Sequence, residues 1–195
     1  MTQVLPFLAR RASLALACSL AFPLALTPAL AAGSGPAAPV TAIYQRVVAS
    51  YDGKSNNAEN GIFIMKSDKA RRRYFSARTA KLWREADRLT PKGDVDALDF
   101  DPVTNSQDPL VRAFDTSIER QGAKSATVLV RISEKPGPIA QPAPRDFIRY
   151  DMVLERGRWL IDDIRGTVDS AWSVRKIMAD YIAMCTRPEN AKACR

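Results

Sequence analysis

The sequence predicts an α+β protein: a bent antiparallel sheet of about four strands packed on N-terminal helices, with a C-terminal helix closing the domain. Three observations carry this expectation. Apolar residues recur at helical spacing through residues 40–51 and again through 79–89. Four consecutive segments between residues 111 and 164 switch to period-two alternation. A final stretch, residues 171–182, returns to helical spacing. Helices and strands that are segregated along the chain, rather than alternating, indicate α+β and an antiparallel sheet.

The elements follow in order. Residues 32–39, Ala-Gly-Ser-Gly-Pro-Ala-Ala-Pro, read as a flexible leader. Pro39 stands where a helix can begin, and Val40, Ile43, Tyr44, Val47, Val48 and Tyr51 form one apolar stripe that Gly53 ends. Lys54 to Gly61 is a polar loop. Ile62 to Met65 fits a helical turn or a strand, and Asp68 to Arg73 a short helix. Ser76 resembles an N-cap for a helix with Thr79, Leu82, Trp83, Ala86 and Leu89 on one face, ended by Pro91.

In the second half, Val111 to Arg120 sets Phe114 and Ile118 against Asp115, Ser117 and Glu119. Gln121 to Lys124 turns the chain into Ala126, Val128, Val130 and Ile132, alternating with Thr127, Leu129 and Arg131. After a proline-rich loop from Lys135 to Pro144, Ile148, Tyr150, Met152 and Leu154 alternate with Arg149, Asp151, Val153 and Glu155. Glu155-Arg156-Gly157 turns into a fourth strand, Arg158 to Ile164. Ala171, Val174, Ile177, Met178, Tyr181 and Ile182 form the last helix, with Asp169 or Ser170 as its cap. One sheet face is thereby apolar and the other carries mixed charges, so the helices belong on one side only. Desolvating those charges is expensive, which predicts a monomer or weak dimer.

The N-terminus sets the expected location. Arg10 and Arg11 precede an apolar run from Ala12 to Leu26, and Ala29-Leu30-Ala31 offers a small-x-small cleavage site. Residues 1–31 therefore read as a secretory signal, placing the mature chain in a periplasm or outside the cell. A spanning helix needs about 20 apolar residues, and this run is shorter and interrupted by Pro23 and Pro28. A twin-arginine route, or lipidation at Cys18, is the minority alternative. Cleavage removes Arg10 and Arg11 and no acid, lowering the net charge from +8 to +6. The expected organisation is signal 1–31, leader 32–39, one domain over 40–184, and a C-terminal tail 185–195 stapled by a Cys185–Cys194 disulfide. So short a loop gains roughly 2–3 kcal/mol.

The chain contains no histidine. Ser-His-Asp and Cys-His catalysis and imidazole metal ligation are thereby excluded, leaving carboxylate, lysine and tyrosine chemistry.

Several segments carry a family resemblance: Tyr74-Phe75-Ser76 leading into Leu82-Trp83; Asp99-Phe100-Asp101-Pro102 with Asn105-x-Gln107-Asp108; Arg158-Trp159-x-Ile161-Asp162-Asp163-Ile164; and Ser173-Val174-Arg175. Over residues 40–183 the pattern resembles the cone-shaped fold typified by nuclear transport factor two, and within it a group of secreted bacterial domains of unknown function. The resemblance implies a bent sheet wrapped on a long helix around a pocket. It implies no activity, since cones serve isomerases, dehydratases, adaptors and immunity-type binders alike.

Candidate chemistry is sparse. Asp94, Asp96, Asp99, Asp101 and Asp108 lie within fifteen residues. Their spacing does not match a calcium loop, and Asp99, Asp101 and Asp108 are read as loop-fixing groups or, with Trp83 as a stacking or core residue, as ligand-binding candidates. Asp163 shares a face with Trp159 and Ile161 unless a bulge intervenes. Among apolar residues its pKa rises, and with Tyr44 or Tyr150 as donor it is the candidate general base; its alternative roles are an ion pair at the sheet rim or a cap on the next turn. Arg71 to Arg73 reads as a solvated face unless other residues converge on it to hold phosphate. The expected function is a non-catalytic binding or accessory module. Its pocket lies between sheet and helices, and its partner is a small ligand or an envelope protein, with no cofactor, metal or nucleic acid and no membrane span after cleavage. The alternative is a small cone-fold enzyme of isomerase or dehydratase type.

Overall fold

The computed structural model describes residues 35–51, 63–107, 110–139, 147–167, 171–190 and 194. Residues 1–34, the polar loop Lys54 to Gly61, Asp108, most of the proline-rich loop, and Asp169 and Ser170 lie outside these residues. The chain is α+β, with a five-stranded antiparallel sheet whose strands lie side by side in chain order. No described helix is long and apolar enough to cross a membrane.

Helix α1 spans Ala38–Tyr51 and buries Val40, Ile43, Tyr44 and Val47, the stripe seen in the sequence. Ala38 and Pro39, expected in the leader, form its first turn instead. One helical turn, α2 (Phe63–Lys66), precedes α3 (Asp68–Tyr74), whose N-cap Ser67 accepts the Ala70 N–H. The chain then extends for two residues. Phe75 bridges to Ile161 in parallel fashion and the Ser76 N–H donates to the Ile161 carbonyl at 2.7 Å, so this link borders the fourth strand. Ser76 caps α4 (Ala77–Leu89) by accepting the Thr79 N–H. Thr79, Ala80, Trp83, Ala86 and Leu89 are its buried face.

Strands β1 (Ala113–Gln121), β2 (Ser125–Ser133), β3 (Ile148–Glu155) and β4 (Arg158–Gly166) match the four alternating segments. The β3–β4 connection is a two-residue turn with φ of 50° at Arg156 and 77° at Gly157, the doubly left-handed geometry that suits the twist of a hairpin. A fifth strand, β5 (Trp172–Ser173), pairs with Arg165 and Gly166. Helix α5 (Val174–Cys185) therefore starts later than its sequence pattern implied, with Ser173 as its N-cap, accepting the Lys176 N–H. Trp172 and Ser173 are drawn into the sheet, which overrides the helical spacing of Ala171 with Val174.

The helix-facing side of the sheet carries Val128, Val130, Ile148, Tyr150, Met152, Ile161 and Ile164, all buried in one cluster with the α1 stripe. Phe114 of β1 stacks on Tyr44 with ring centres 5.4 Å apart. Ile118, on the same face by alternation, is 46% exposed. It lies further along an edge strand whose register slips between Ile118 and Arg120. On the other face the charges pair across strands: Arg131 with Asp115, Arg149 with Glu119, and Arg165 with Asp151.

Candidate functional site

The carboxylates of β4 are positioned by a bulge. Tyr150 faces Ile164 and Asp151 faces Asp163, yet Met152 faces Ile161. Asp162 is the extra residue, and the slip keeps both Ile161 and Ile164 on the packed side. Asp163 is thereby turned to the face opposite Tyr150, away from Ile161, where unbroken alternation would have put it. Each of the two carboxylates then holds the start of one helix. Asp162 accepts from the Ser76 hydroxyl at 2.9 Å and from both arms of the Arg78 guanidinium, with Arg175 at 3.3 Å. Its backbone carbonyl accepts from the Thr79 hydroxyl. Asp163 accepts from the Ser173 hydroxyl at 2.6 Å, the Arg175 N–H at 3.0 Å and the Ile164 N–H at 2.9 Å. Both cap serines thus accept from the helix and donate to an aspartate, and the negative charge lies at the positive helix end. Burial raises the Asp162 pKa, but the bonds from Arg78 and Ser76 outweigh it and hold it below the usual carboxylate value. For Asp163 burial wins over the Ser173, Arg175 and Ile164 bonds, and its pKa is raised.

Tyr44 and Tyr150 are fully buried, with hydroxyls 3.0 Å apart. Tyr44 donates to the Val103 carbonyl, leaving Tyr150 to donate to Tyr44. Burial, and then each other's proximity, pushes the Tyr44 pKa well up, and burial does the same for Tyr150. Asp101 adds its negative field to both. The structure thus brings the two tyrosines together beside Asp101 and sets Asp163 on the other side of the sheet.

Asp101 is the buried member of the acidic segment. It accepts the Val103 N–H at 3.0 Å and the Thr104 hydroxyl at 3.0 Å, while its own backbone bridges to Ser106. This is a carboxylate that shapes a turn, followed by Asn105 at a φ of 53°. Burial pushes its pKa up to about 6 against the opposing pull of those two bonds. Asp99 is exposed and contributes its carbonyl to the Gln107 side chain. Among the described residues no group of three or more His, Cys, Asp or Glu side chains is arranged to hold a metal. Trp83 is buried, edge-on to Phe75 at 5.4 Å, with the Arg71 guanidinium 5.2 Å above its ring. It packs in the core. Arg71 itself leaves the solvated face expected of residues 71–73: it is buried and paired with Asp87 of α4, whereas Arg72 and Arg73 stay exposed. Cys185 and Cys194 form a disulfide-compatible pair, Cα atoms 5.5 Å apart, packed with Leu89 in a small cluster of their own.

The side of the sheet facing α1 carries the buried cluster, and several clefts open at the surface. One of them, of about 420 Å³, collects four arginines from different elements: Arg72 of α3, Arg84 of α4, Arg156 of the β3–β4 turn and Arg158 of β4. The room comes from Ala77 and Ala80, whose side chains end at Cβ on the α4 face below Arg84, and the floor is Phe75 and Leu160. All four guanidinium-bearing residues are exposed. Arg72 pairs with Asp68, and Arg84 lies 3.8 Å from it. Among the described residues no carboxylate lies within ion-pair distance of Arg156 or Arg158. Arg158 donates instead to the Arg73 carbonyl at 3.1 Å. Glu155 reaches in from β3 and accepts the Ala77 N–H, the first amide of α4, at 3.3 Å. Arg158 also borders a second cleft of about 320 Å³ with Arg73, Tyr74, Trp159 and the start of α1.

The sequence named Arg72 only as part of a basic run. Arg84, Arg156 and Arg158 were missed, because they reach the same cleft from an α-helix, a turn and a strand. The one local signal was Arg156 in a turn position that favours Asn or Gly. Compared with known protein families, with curated proteins and with solved structures, the chain finds no match.

Proposed function

We propose that this chain is an exported, non-catalytic binding or accessory module that holds an anionic ligand in the arginine-lined cleft at the β3–β4 turn. The observation that carries the reading is the convergence of Arg72, Arg84, Arg156 and Arg158 on one cleft, two of them without a carboxylate partner among the described residues. Guanidinium groups meet carboxylate and phosphate oxygens through paired hydrogen bonds, and a cleft lined by one sign of charge concentrates the opposite ion. Arg72 and Arg84 sit on helices, and Arg156 and Arg158 on the Arg-Gly-Arg turn and β4, so all four are carried by ordered elements, which favours binding over a merely solvated surface.

The cone fold is part of the same proposal. Its support is an antiparallel sheet with α1 on the apolar face and bulges in β1 and β4 of the kind that bend strands. Export to a periplasm or beyond is supported by the signal-like residues 1–31 and by a cysteine pair suited to an oxidising compartment. A catalytic reading loses its support in the geometry. Asp163 is occupied by three donors and stands across the sheet from Tyr150, so base and donor do not meet over one substrate.

Titration calorimetry of the mature protein with citrate, sulfate and inorganic phosphate tests the reading. Saturable binding of at least one of these anions, weakened in an Arg84→Ala/Arg156→Ala double variant, is the expected result. Absence of saturable binding to all of them overturns it.

A further inference from the structure

Resting on the anion-binding reading, we infer that the cleft is specific for a phosphate group, and that Glu155 is an internal carboxylate which the phosphate displaces from the start of α4. The charge balance points to a dianion. Arg72, Arg84, Arg156 and Arg158 bring four positive charges, and Asp68 and Glu155 two negative ones, leaving +2 in the cleft. A monocarboxylate ligand neutralises half of that, whereas a phosphate monoester, at roughly −1.5 to −2 near neutral pH, neutralises nearly all of it.

The position of Glu155 gives the second argument. Its Oε2 takes the Ala77 N–H at 3.3 Å, a long contact at the N-terminal end of a thirteen-residue helix, where backbone N–H groups and the helix dipole favour anions. An oxyanion is thus already held at this spot by the protein itself, weakly and by a side chain on an exposed rim. A phosphate oxygen in the same place would gain the amide and stand among guanidinium groups that Glu155 does not engage: among the described residues no ion pair joins it to any of the four. Phe75 and Leu160 supply the apolar part of the cleft lining, against which the organic part of the ligand would rest. The same chemistry is presented by a soluble phosphomonoester and by a phosphate lipid headgroup.

The test uses the mature full-length protein with two probes: inorganic phosphate in calorimetry, and co-sedimentation with phosphatidylcholine vesicles containing phosphatidic acid, with pure phosphatidylcholine vesicles as reference. The inference expects binding to at least one probe, reduced at least about tenfold by Arg84→Ala/Arg156→Ala and raised about fivefold by Glu155→Gln, which keeps an acceptor but removes the competing charge. Arg88→Ala, on α4 and paired with Glu85, leaves binding unchanged. Phosphate binding without vesicle binding identifies a soluble ligand; binding to the phosphatidic acid vesicles identifies a headgroup. Citrate binding with neither phosphate nor vesicle binding overturns the phosphate assignment and leaves the anion-binding reading standing. Unchanged or weaker binding in Glu155→Gln overturns the displacement.

Discussion

Replacing Asp101 by asparagine should make the protein more stable at neutral pH and flatten its stability between about pH 4 and pH 6. Asp101 is buried, and its pKa is pushed up to about 6, against about 3.9 for an unfolded aspartate. Between those values the folded chain holds a proton that the unfolded chain has released, so stability is fully present below about pH 4 and is lost as pH rises through about 6. A gap of about two units corresponds to roughly 3 kcal/mol. The asparagine side chain keeps a carbonyl for the Val103 N–H, and its amide can donate to the Thr104 hydroxyl, so the turn survives while the buried charge goes. Urea denaturation of both proteins at about pH 4, 5, 6 and 7 reads the effect. The difference in unfolding free energy should be near zero at the acid end and grow to roughly 3 kcal/mol in favour of the variant by about pH 7. Parallel profiles for the two proteins would refute the reasoning, because they would mean that Asp101 titrates as it does in the unfolded chain.

Three further outcomes follow from the same geometry. Asp162→Ala should cost about 2 kcal/mol in chemical denaturation, because the Ser76 hydroxyl and Arg78 both lose their acceptor at the start of α4; the stabilisation due to Asp162, whose pKa is lowered, is present above about pH 4 and fades as pH falls through its folded value. Gly166→Ala should cost about 1–3 kcal/mol in urea unfolding, since the added Cβ would run into the Trp172 indole; a double variant with Trp172→Ala should recover the clash part of that loss. Tyr44→Phe should cost about 1–2 kcal/mol, measured by thermal or urea unfolding, by leaving the buried Val103 carbonyl and the Tyr150 hydroxyl short of a partner.

Much of the fold was legible because burial imposes period. The α1 stripe, the Ser76 cap and the four alternating segments each express a requirement that one face be apolar, and each reappears in the structure within a residue or two. Legibility failed where tertiary pairing overrode local pattern. Trp172 and Ser173 carry no strand signal of their own and became β5 because Arg165 and Gly166 offered a free edge. Ile118 kept its alternation but not its burial, since an edge strand has a neighbour on one side only and its register slips there.

The Asp162-Asp163 pair shows why the site was harder to read than the fold. In the sequence, a carboxylate two residues beyond Ile161 suggests an acid in an apolar wall and hence a base. One extra residue in β4 reverses that, because a shift of one position moves a side chain to the other face of a sheet, and the same two carboxylates become anchors for α4 and α5. Once both are committed to helix ends, they have no lone charge to offer a substrate. At the far end of the same strand pair, Arg156 and Arg158 carry positive charge with no carboxylate within ion-pair distance among the described residues. The hairpin that aims its bulge at two helix starts therefore also fixes, at its tip, two of the four guanidinium groups on which the anion-binding proposal rests.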